Sequence, residues 1–362
     1  MTNNNYAVIM AGGIGSRFWP MSTSRIPKQF LDVLGNGETL LQQTFRRLSN
    51  ICPASQILIV TNTDYKDICK NQLPDIKEEN ILCEPARRNT APCIAYASFK
   101  IQSENANANI IVAPSDHIIT NEDEFTRIVN ECLQVSREND CLITLGIKPN
   151  RAETGYGYIQ YSIESRDLKA SLKRVKTFTE KPDLELANQF LESGDFLWNS
   201  GMFIWSVNSI ISSIKNLLPE MHDVFSEGTE LYNTLDEISF INRVFPACRN
   251  ISIDYGIMEK SKNVFVYPSD FGWSDLGTWG SLSTHVSSDK NNNTLISKQV
   301  LLYDSENNIV RLPKDKAAVI QGLDGYIIVD TKDALLICKK EEEQKIKQFV
   351  ADVKYNLGDN YV

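Results

Sequence analysis

The chain has 362 residues, 42% of them hydrophobic and 23% charged, with a net charge of −9 at pH 7. That is the composition of an ordinary globular protein, long enough for one large domain of roughly 250–280 residues and a small one. The acidic balance argues against a nucleic-acid surface, which needs a basic face, and no apolar run reaches the length of about 18 residues that a membrane span requires.

The N-terminal stretch MTNNNYAVIM has no basic segment ahead of an apolar core, so no secretory signal is expected and a cytoplasmic location is. The eight cysteines are scattered, without a C-x-x-C pair, and read as buried reduced thiols. Only His117, His222 and His285 are present, which puts chemistry based on a histidine base at a disadvantage.

Short apolar runs alternate with helical patterns through the first half. YAVIMAGG (6–13) reads as a buried strand entering a glycine-rich loop, and Leu40, Leu41, Thr44, Phe45 and Leu48 share one helical face. QILIVTN (56–62), NILCEP (80–85), NIIVAPSD (109–116) and CLITLGI (141–147) read as strands, with helices predicted near 64–73, 90–104 and 123–139. This alternation predicts an α/β doubly wound domain whose mostly parallel sheet is covered by helices on both faces. From about residue 150 the rhythm changes. GYIQY (157–161), LKRVKTFTEKP (172–182) and WNSGMFIW (198–205) predict strands, with helices near 184–194 and 208–225, as an excursion that lids or widens the sheet. NVFVYPS (263–269) returns to the strand pattern. KNNNT (290–294) reads as a linker, dividing a large domain at 1–288 from a small β domain at 289–362. The latter's brief strands suggest a solenoid, ending in a helix (341–353) with Ile346, Phe349, Val350 and Val353 at helical spacing.

The first strand runs into AGGIGSRFWP (11–20) and then RIPKQF (25–30). Gly12, Gly13 and Gly15, beside Ser16, let backbone N–H groups approach phosphate oxygens. A dinucleotide fingerprint would need glycine at 18, where Phe18 stands, and no Walker G-K-[ST] occurs. Arg17 can fork across two phosphate oxygens while Lys28 acts as a point charge. In EPARRNTAPCIAYA (84–97), Asn89 or Thr90 caps a helix, either as a plain cap or leaving amides for a ligand. VAPSDHII (112–119) puts Asp116 just past a strand end, where ligands of open α/β sheets collect; capping the next turn is the alternative. His117 reads as structural or supporting. GWSDLGTW (272–279) supplies a second carboxylate, Asp275, and two carboxylates with phosphate oxygens and waters suit Mg²⁺. In FLWNSGMFIW (196–205), Asn199 interrupts an apolar run and needs partners, either sugar hydroxyls or a β-bulge that satisfies it internally.

AGGIGSRFWPMSTSRIPKQF (11–30) resembles the signature of the sugar-1-phosphate nucleotidyltransferases, and its Trp-Pro pair and PKQF ending resemble the mannose-1-phosphate guanylyltransferase branch. The resemblance continues through six motifs in one order over roughly residues 5–340. It implies transfer of GMP from GTP to mannose 1-phosphate by in-line attack at the α-phosphorus, giving GDP-mannose and pyrophosphate. It implies that Gly12, Gly13, Gly15 and Ser16 hold the nucleotide's phosphates and that Glu84, Pro85, Asn89, Thr90 and Ala91 line a guanine pocket. Arg17, Lys28 and Lys181 would be the catalytic cations, with Lys181 on the sugar phosphate. Gly155, Tyr156, Gly157, Glu180, Asn199 and Asp254 would bind the sugar, and Asp116 and Asp275 would bind Mg²⁺. Ser115 departs from the alanine or glycine usual before the metal-binding Asp. GYIIVDTKDALLIC (325–338) resembles the tail domain, which carries no catalytic motif and is expected to pack on the main domain or on a second subunit of a homodimer. The chain stops short of the cupin-like domain that many long members append, so no isomerase activity is expected.

Two other readings compete. One is a nucleotidyltransferase for another hexose 1-phosphate or nucleotide. The other is a non-catalytic sensor of nucleotide sugars, which should have lost phosphate or metal residues, whereas Arg17, Lys28, Asp116, Lys181 and Asp275 are all present. A dinucleotide-dependent oxidoreductase, suggested by fold class alone, fails at Phe18.

Overall fold

The β-branched and leucine-rich runs of the first half form strands buried on both faces, as a helix-covered sheet requires. The computed structural model describes residues 4–163 and 168–362; the first three residues of the N-terminal stretch lie outside the described residues. In chain order the strands are β1 (Asn5–Met10), β2 (Ile57–Asn62), β3 (Ile81–Glu84), β4 (Asn109–Pro114), the two-residue β5 (Ile118–Ile119), β6 (Leu142–Ile147), β7 (Gly157–Tyr161), β8 (Lys173–Glu180), β9 (Phe196–Ser206), β10 (Val264–Ser269) and the two-residue β11 (Trp273–Ser274). The chain forms two compact units, the first comprising Met1–Gly12, Thr44–Ser115 and Ile119–Trp273.

The first unit holds a nine-stranded sheet of order β3-β2-β1-β4-β9-β6-β10-β8-β7. Pairing is parallel along β3-β2-β1-β4 and between β6 and β10. The excursion predicted after residue 150 widens this sheet: β9 inserts antiparallel between β4 and β6, and β8 and β7 extend the far edge antiparallel. Alternate strand residues, among them Tyr6, Val8, Leu58, Val60, Ile110 and Val112, share one buried cluster with Ile94 and Phe99 of the helix Thr90–Glu104 and with Ile210 and Ile214. The helix predicted over 208–225 is two helices, Val207–Leu217 and Pro219–Ser226. Proline cannot donate an N–H, and it pushes the residue before it out of the helical region; Leu218 accordingly has φ −135°.

The second unit comprises Gly13–Gln43, Asp116–Ile118 and Ser274–Val362. It contains β12 (Thr294–Leu295), β13 (Val300–Tyr303), β14 (Ile309–Arg311), β15 (Ala318–Gln321), β16 (Tyr326–Asp330) and β17 (Leu335–Lys339). β12, β14 and β16 pair in parallel in one sheet, which β17 closes antiparallel, while β13 and β15 pair in another. A chain that alternates between two parallel sheets winds as a coil, as the solenoid reading expected. The KNNNT stretch begins this coil. Asn293 is fully buried, and its Oδ1 accepts from both the backbone N–H and the Nδ2 of Asn308 one turn on. Asn308 is buried too and passes the pattern forward, accepting from Tyr326 N–H and donating to the Leu323 carbonyl. Burying amides is tolerable only when every lone pair and proton finds a partner. The chain then forms a 3-10 segment, Lys340–Lys345, and the helix Ile346–Leu357. Ile346, Phe349, Val350 and Val353 pack into a cluster with Phe18, Trp19, Trp279, Ile309 and Ile327.

All eight cysteines are unpaired and all but Cys83 are buried. Among the described residues no helix is long and apolar enough to cross a membrane. The asparagine ladder yields a test: Asn308→Ala should lower the unfolding free energy by about 2–3 kcal/mol, because it strands the Leu323 carbonyl and the Tyr326 N–H and removes one of the two Asn308 donors to Asn293 Oδ1. In urea titrations the exposed Lys298→Ala should stay within about 0.5 kcal/mol of the parent.

Candidate active site

The glycine-rich loop is shaped by one residue above the others. Gly15 sits at φ +66°, immediately before the 3-10 turn Ser16–Phe18, and a Cβ there would lie 2.7 Å from the Lys28 Cβ. Only glycine meets both demands. Neighbouring side chains clamp the loop: Ser22 Oγ donates to the Ile14 carbonyl at 2.5 Å and Gln29 Nε2 to the Gly13 carbonyl at 2.9 Å. Phe18 packs on Trp279 with ring centroids 4.9 Å apart. The loop borders a cavity of about 250 Å³ lined by Gly15, Ser16, Arg17, Lys28, Asp116 and Asp275, together with Phe18, His117, Gly277 and Lys347. All of these residues belong to the second unit.

Lys28 organises the floor of this cavity. It is only 4% exposed, and its ammonium reaches three acceptors: Asp116 Oδ2 at 2.8 Å, the Asp275 carbonyl at 2.9 Å and the Leu276 carbonyl at 3.0 Å. An ammonium has three protons, so this one is fully committed. Burial works against ionisation of Asp116, but the Lys28 charge, the His117 ring and hydrogen bonding together hold its carboxyl below the ordinary range. Asp275 Oδ1 accepts from Gly277 N–H at 2.8 Å, and a Cβ at Gly277 would come within 2.7 Å of Asp275 Oδ2. Arg17 is different. Its Nε is buried and has no partner among the described residues. The residue as a whole lines the cavity, so its side chain is a charged group there that no protein acceptor engages among the described residues.

The first unit carries the other predicted residues. Glu84, at the end of β3, is buried with its Oε2 close to Gly12, where an added Cβ would stand 3.3 Å away. Its Oε1 has no partner, and burial pushes its pKa up to about 8, with the Cys93 thiol as a partial offset. Pro85 follows it in the loop. Asn89, at φ +66°, caps the helix Thr90–Glu104 by accepting from Thr90 N–H. Thr90 Oγ1 accepts from Ile253 N–H, and Ala91 N–H is taken by the Ile251 carbonyl. These two amides and the hydroxyl therefore hold protein, as the plain capping alternative has it.

Glu180, Asn199, Gly157 and Asp254 meet at a small cavity of about 10 Å³. Gly157 is required there, since a Cβ would lie 2.6 Å from Glu180 Oε2. Asn199 lies opposite a bulge in β6 between Thr144 and Gly146. Its Oδ1 accepts from Gly201 N–H and Thr144 Oγ1, and its Nδ2 donates to Asp254 Oδ1 at 2.7 Å. Burial, with Glu180 adding to it, raises the Asp254 pKa against the pull of that donor. Lys181, exposed and at φ +48°, pairs with Glu180. Gly155 N–H donates to Glu153, and Tyr156 packs edge-on against Trp198 and Trp273 at 5.1 and 5.3 Å.

A family profile described as "Nucleotidyl transferase" matches residues 6–292. The chain belongs to the nucleotidyl transferase family. A second profile, "MannoseP isomerase/GMP-like beta-helix domain", matches residues 298–353. Nucleotidyl transferases similar to this chain include "Mannose-1-phosphate guanylyltransferase 2" of Escherichia coli O157:H7, 35% identical over 98% of this chain and 75% of that protein. "Alginate biosynthesis protein AlgA" of Pseudomonas aeruginosa is 34% identical over 96% of this chain and 71% of its own length. Among solved structures, a Thermus thermophilus protein described as "mannose-1-phosphate geranyltransferase" superposes with a TM-score of 0.86 at 26% identity, covering 97% of this chain and 99% of that one.

Sequence reading did not single out Ser22, Gln29 or Lys347. Gln29 stands inside the PKQF motif, so its signal was present; Lys347 lies on a polar helix face far along the chain, and nothing local marks it. The Lys28 geometry gives a test in this nucleotidyl transferase. Lys28→Met should lower the unfolding free energy at pH 7 by about 2–4 kcal/mol, since it strands a carboxylate and two carbonyls. Because the folded pKa of Asp116 is depressed, its stabilising contribution is complete above about pH 4 and is lost as pH falls through the folded value. Urea titrations on acidification should therefore show a shallower loss in Lys28→Met than in the parent.

Proposed function

We propose that this chain transfers GMP from GTP to mannose 1-phosphate, giving GDP-mannose and pyrophosphate. The observation that carries this reading is the cavity in which an uncommitted Arg17 guanidinium shares a wall with two carboxylates, in a chain about 35% identical to guanylyltransferases over nearly its whole length. A phosphate oxygen of mannose 1-phosphate attacks the α-phosphorus. The bond to the bridging oxygen breaks on the opposite side, and its electron pair leaves with pyrophosphate. The nucleophile is already an anion, so no general base is needed, and catalysis rests on positioning and charge stabilisation. Arg17 meets the charge that grows on the leaving group. Lys28 acts through Asp116 and the Asp275–Leu276 carbonyls, which it holds in place.

Asp116 and Asp275 present hard oxygen donors to one cavity and fit Mg²⁺, with phosphate oxygens and waters as the remaining ligands. The ion, when bound, would offset repulsion between two anionic substrates. Glu84 is the candidate guanine anchor, because a carboxylate can accept from both the N1–H and the exocyclic amine of that base. Glu180, Asn199 and Asp254 are assigned to the sugar, with Lys181 on its phosphate. A cytoplasmic location belongs to the same proposal; eight unpaired cysteines suit a reducing compartment.

The direct test is Mg²⁺-dependent pyrophosphate release from GTP with mannose 1-phosphate, beside ATP, UTP, dTTP and glucose 1-phosphate. Release with GTP and mannose 1-phosphate well above every other pair is expected; release only with another pair would overturn the substrate assignment. Asp116→Ala and Asp275→Ala should each reduce turnover at least about tenfold with the fold intact, and near-normal turnover would remove that carboxylate from the metal site. Glu84 gives a pH-linked test. Burial raises its pKa to about 8, which favours the protonated form at pH 7, and it must lose that proton to accept from both the N1–H and the amine of guanine. Calorimetry in buffers of different ionisation enthalpy should then register release of close to one proton per GTP bound, and none from this position in Glu84→Gln. The same raised pKa means that the group's contribution to folding is full at low pH and declines as pH rises toward 8.

A further inference from the structure

The cavity that holds Arg17 has one wall residue from the far end of the chain, Lys347 in the first turn of the helix Ile346–Leu357. We propose that Lys347 binds the β- and γ-phosphates of the nucleotide, and the pyrophosphate they become, as the second free cation beside Arg17. This inference rests on the nucleotidyl-transfer reading of the cavity.

Charge accounting leads to it. The cavity's cations are Arg17, Lys28 and Lys347, and its carboxylates are Asp116 and Asp275. Lys28 is spent on Asp116 and two carbonyls, so of the cavity's side-chain cations among the described residues Arg17 and Lys347 are the two left to meet a polyphosphate. Lys347 differs from several lysines of the same segment. Lys339, Lys345 and Lys354 each pair with an acidic side chain, whereas the Lys347 ammonium has no hydrogen bond or ion pair among the described residues. Its backbone is nevertheless fixed. Ile346 is fully buried, and Phe349, Val350 and Val353 pack on the cluster that contains Phe18 and Trp19. The helix bearing Lys347 and the turn bearing Arg17 thus share one apolar core. A rooted lysine with a flexible stem suits a leaving group, because a point charge follows a moving anion better than a rigid fork does.

Titration calorimetry with inorganic pyrophosphate tests the assignment without turnover. Lys347→Ala should weaken binding at least about fivefold, the worth of one partly exposed charge contact. Lys347→Arg should stay within about twofold, and Lys354→Ala, on the same helix but off the cavity, should match the parent. In the reverse reaction the KM for pyrophosphate should rise by the same factor while the KM for GDP-mannose holds. Equal pyrophosphate binding by the parent and Lys347→Ala overturns the proposal, as does a parent that binds none. A parent that binds pyrophosphate through Lys347 yet releases none from any substrate pair would uphold the Lys347 contact and sink the nucleotidyl-transfer reading instead.

Discussion

The Lys28 ammonium is the point on which the phosphate-side geometry depends. An ammonium at 4% exposure is tolerable only if every proton is used, and its three acceptors come from two loops more than 80 residues away in sequence. The carboxylate of Asp116 and the backbone at Asp275–Leu276 are thereby fixed relative to the PKQF turn. That arrangement also holds the Asp116 carboxyl below its ordinary range, against the opposing effect of partial burial. One cation is given up to build the site, which leaves Arg17 as the cation to which the proposed reaction assigns the leaving group.

Much of this was legible in the sequence, for identifiable reasons. Strand and helix periodicity located the parallel half of the sheet because its strands are short, apolar on both faces and separated by amphipathic helices. The Gly15 requirement showed as a glycine-rich loop, and the coil of the C-terminal segment showed as closely spaced brief strands. What escaped depends on convergence. Lys28 looked like a phosphate contact because sequence shows a charge between prolines, not the carbonyls that will surround it. Asn199 stood out as a polar break in an apolar run, and a bulge that satisfies it was one of its two readings; which groups do so, Thr144, Gly201 and Asp254, could not be read from the chain. The end of the helix at Leu217 was written in Pro219, and periodicity simply ran over it.

The division of the chain proposed at residues 288/289 follows composition, while packing groups the residues differently. The glycine-rich signature from Gly13 onward falls in one compact unit with the C-terminal coil. The contacts are specific: Trp19 Nε1 donates to the Tyr361 carbonyl at 2.7 Å, Ser24 Oγ to the Val362 carbonyl at 2.6 Å, and Arg25 to Asn360 Oδ1 at 3.0 Å. Phe18 and Trp19 sit in the same cluster as Ile309, Ile327 and Ile346.

This grouping has an energetic consequence. A phosphate-binding loop left to order itself on the ligand would lose affinity to the entropy of fixing each residue, on the order of 1–2 kcal/mol apiece. Anchoring the loop to a β-coil moves that cost to folding, where the burial of Phe18, Trp19 and Trp279 can offset it. The coil itself is held in register by the Asn293–Asn308 ladder, so its rigidity does not rely on apolar packing alone. In the proposed reaction, a segment without a catalytic motif would still serve catalysis. It packs on the loop that carries Arg17, and the helix that follows the coil places Lys347 at the same cavity.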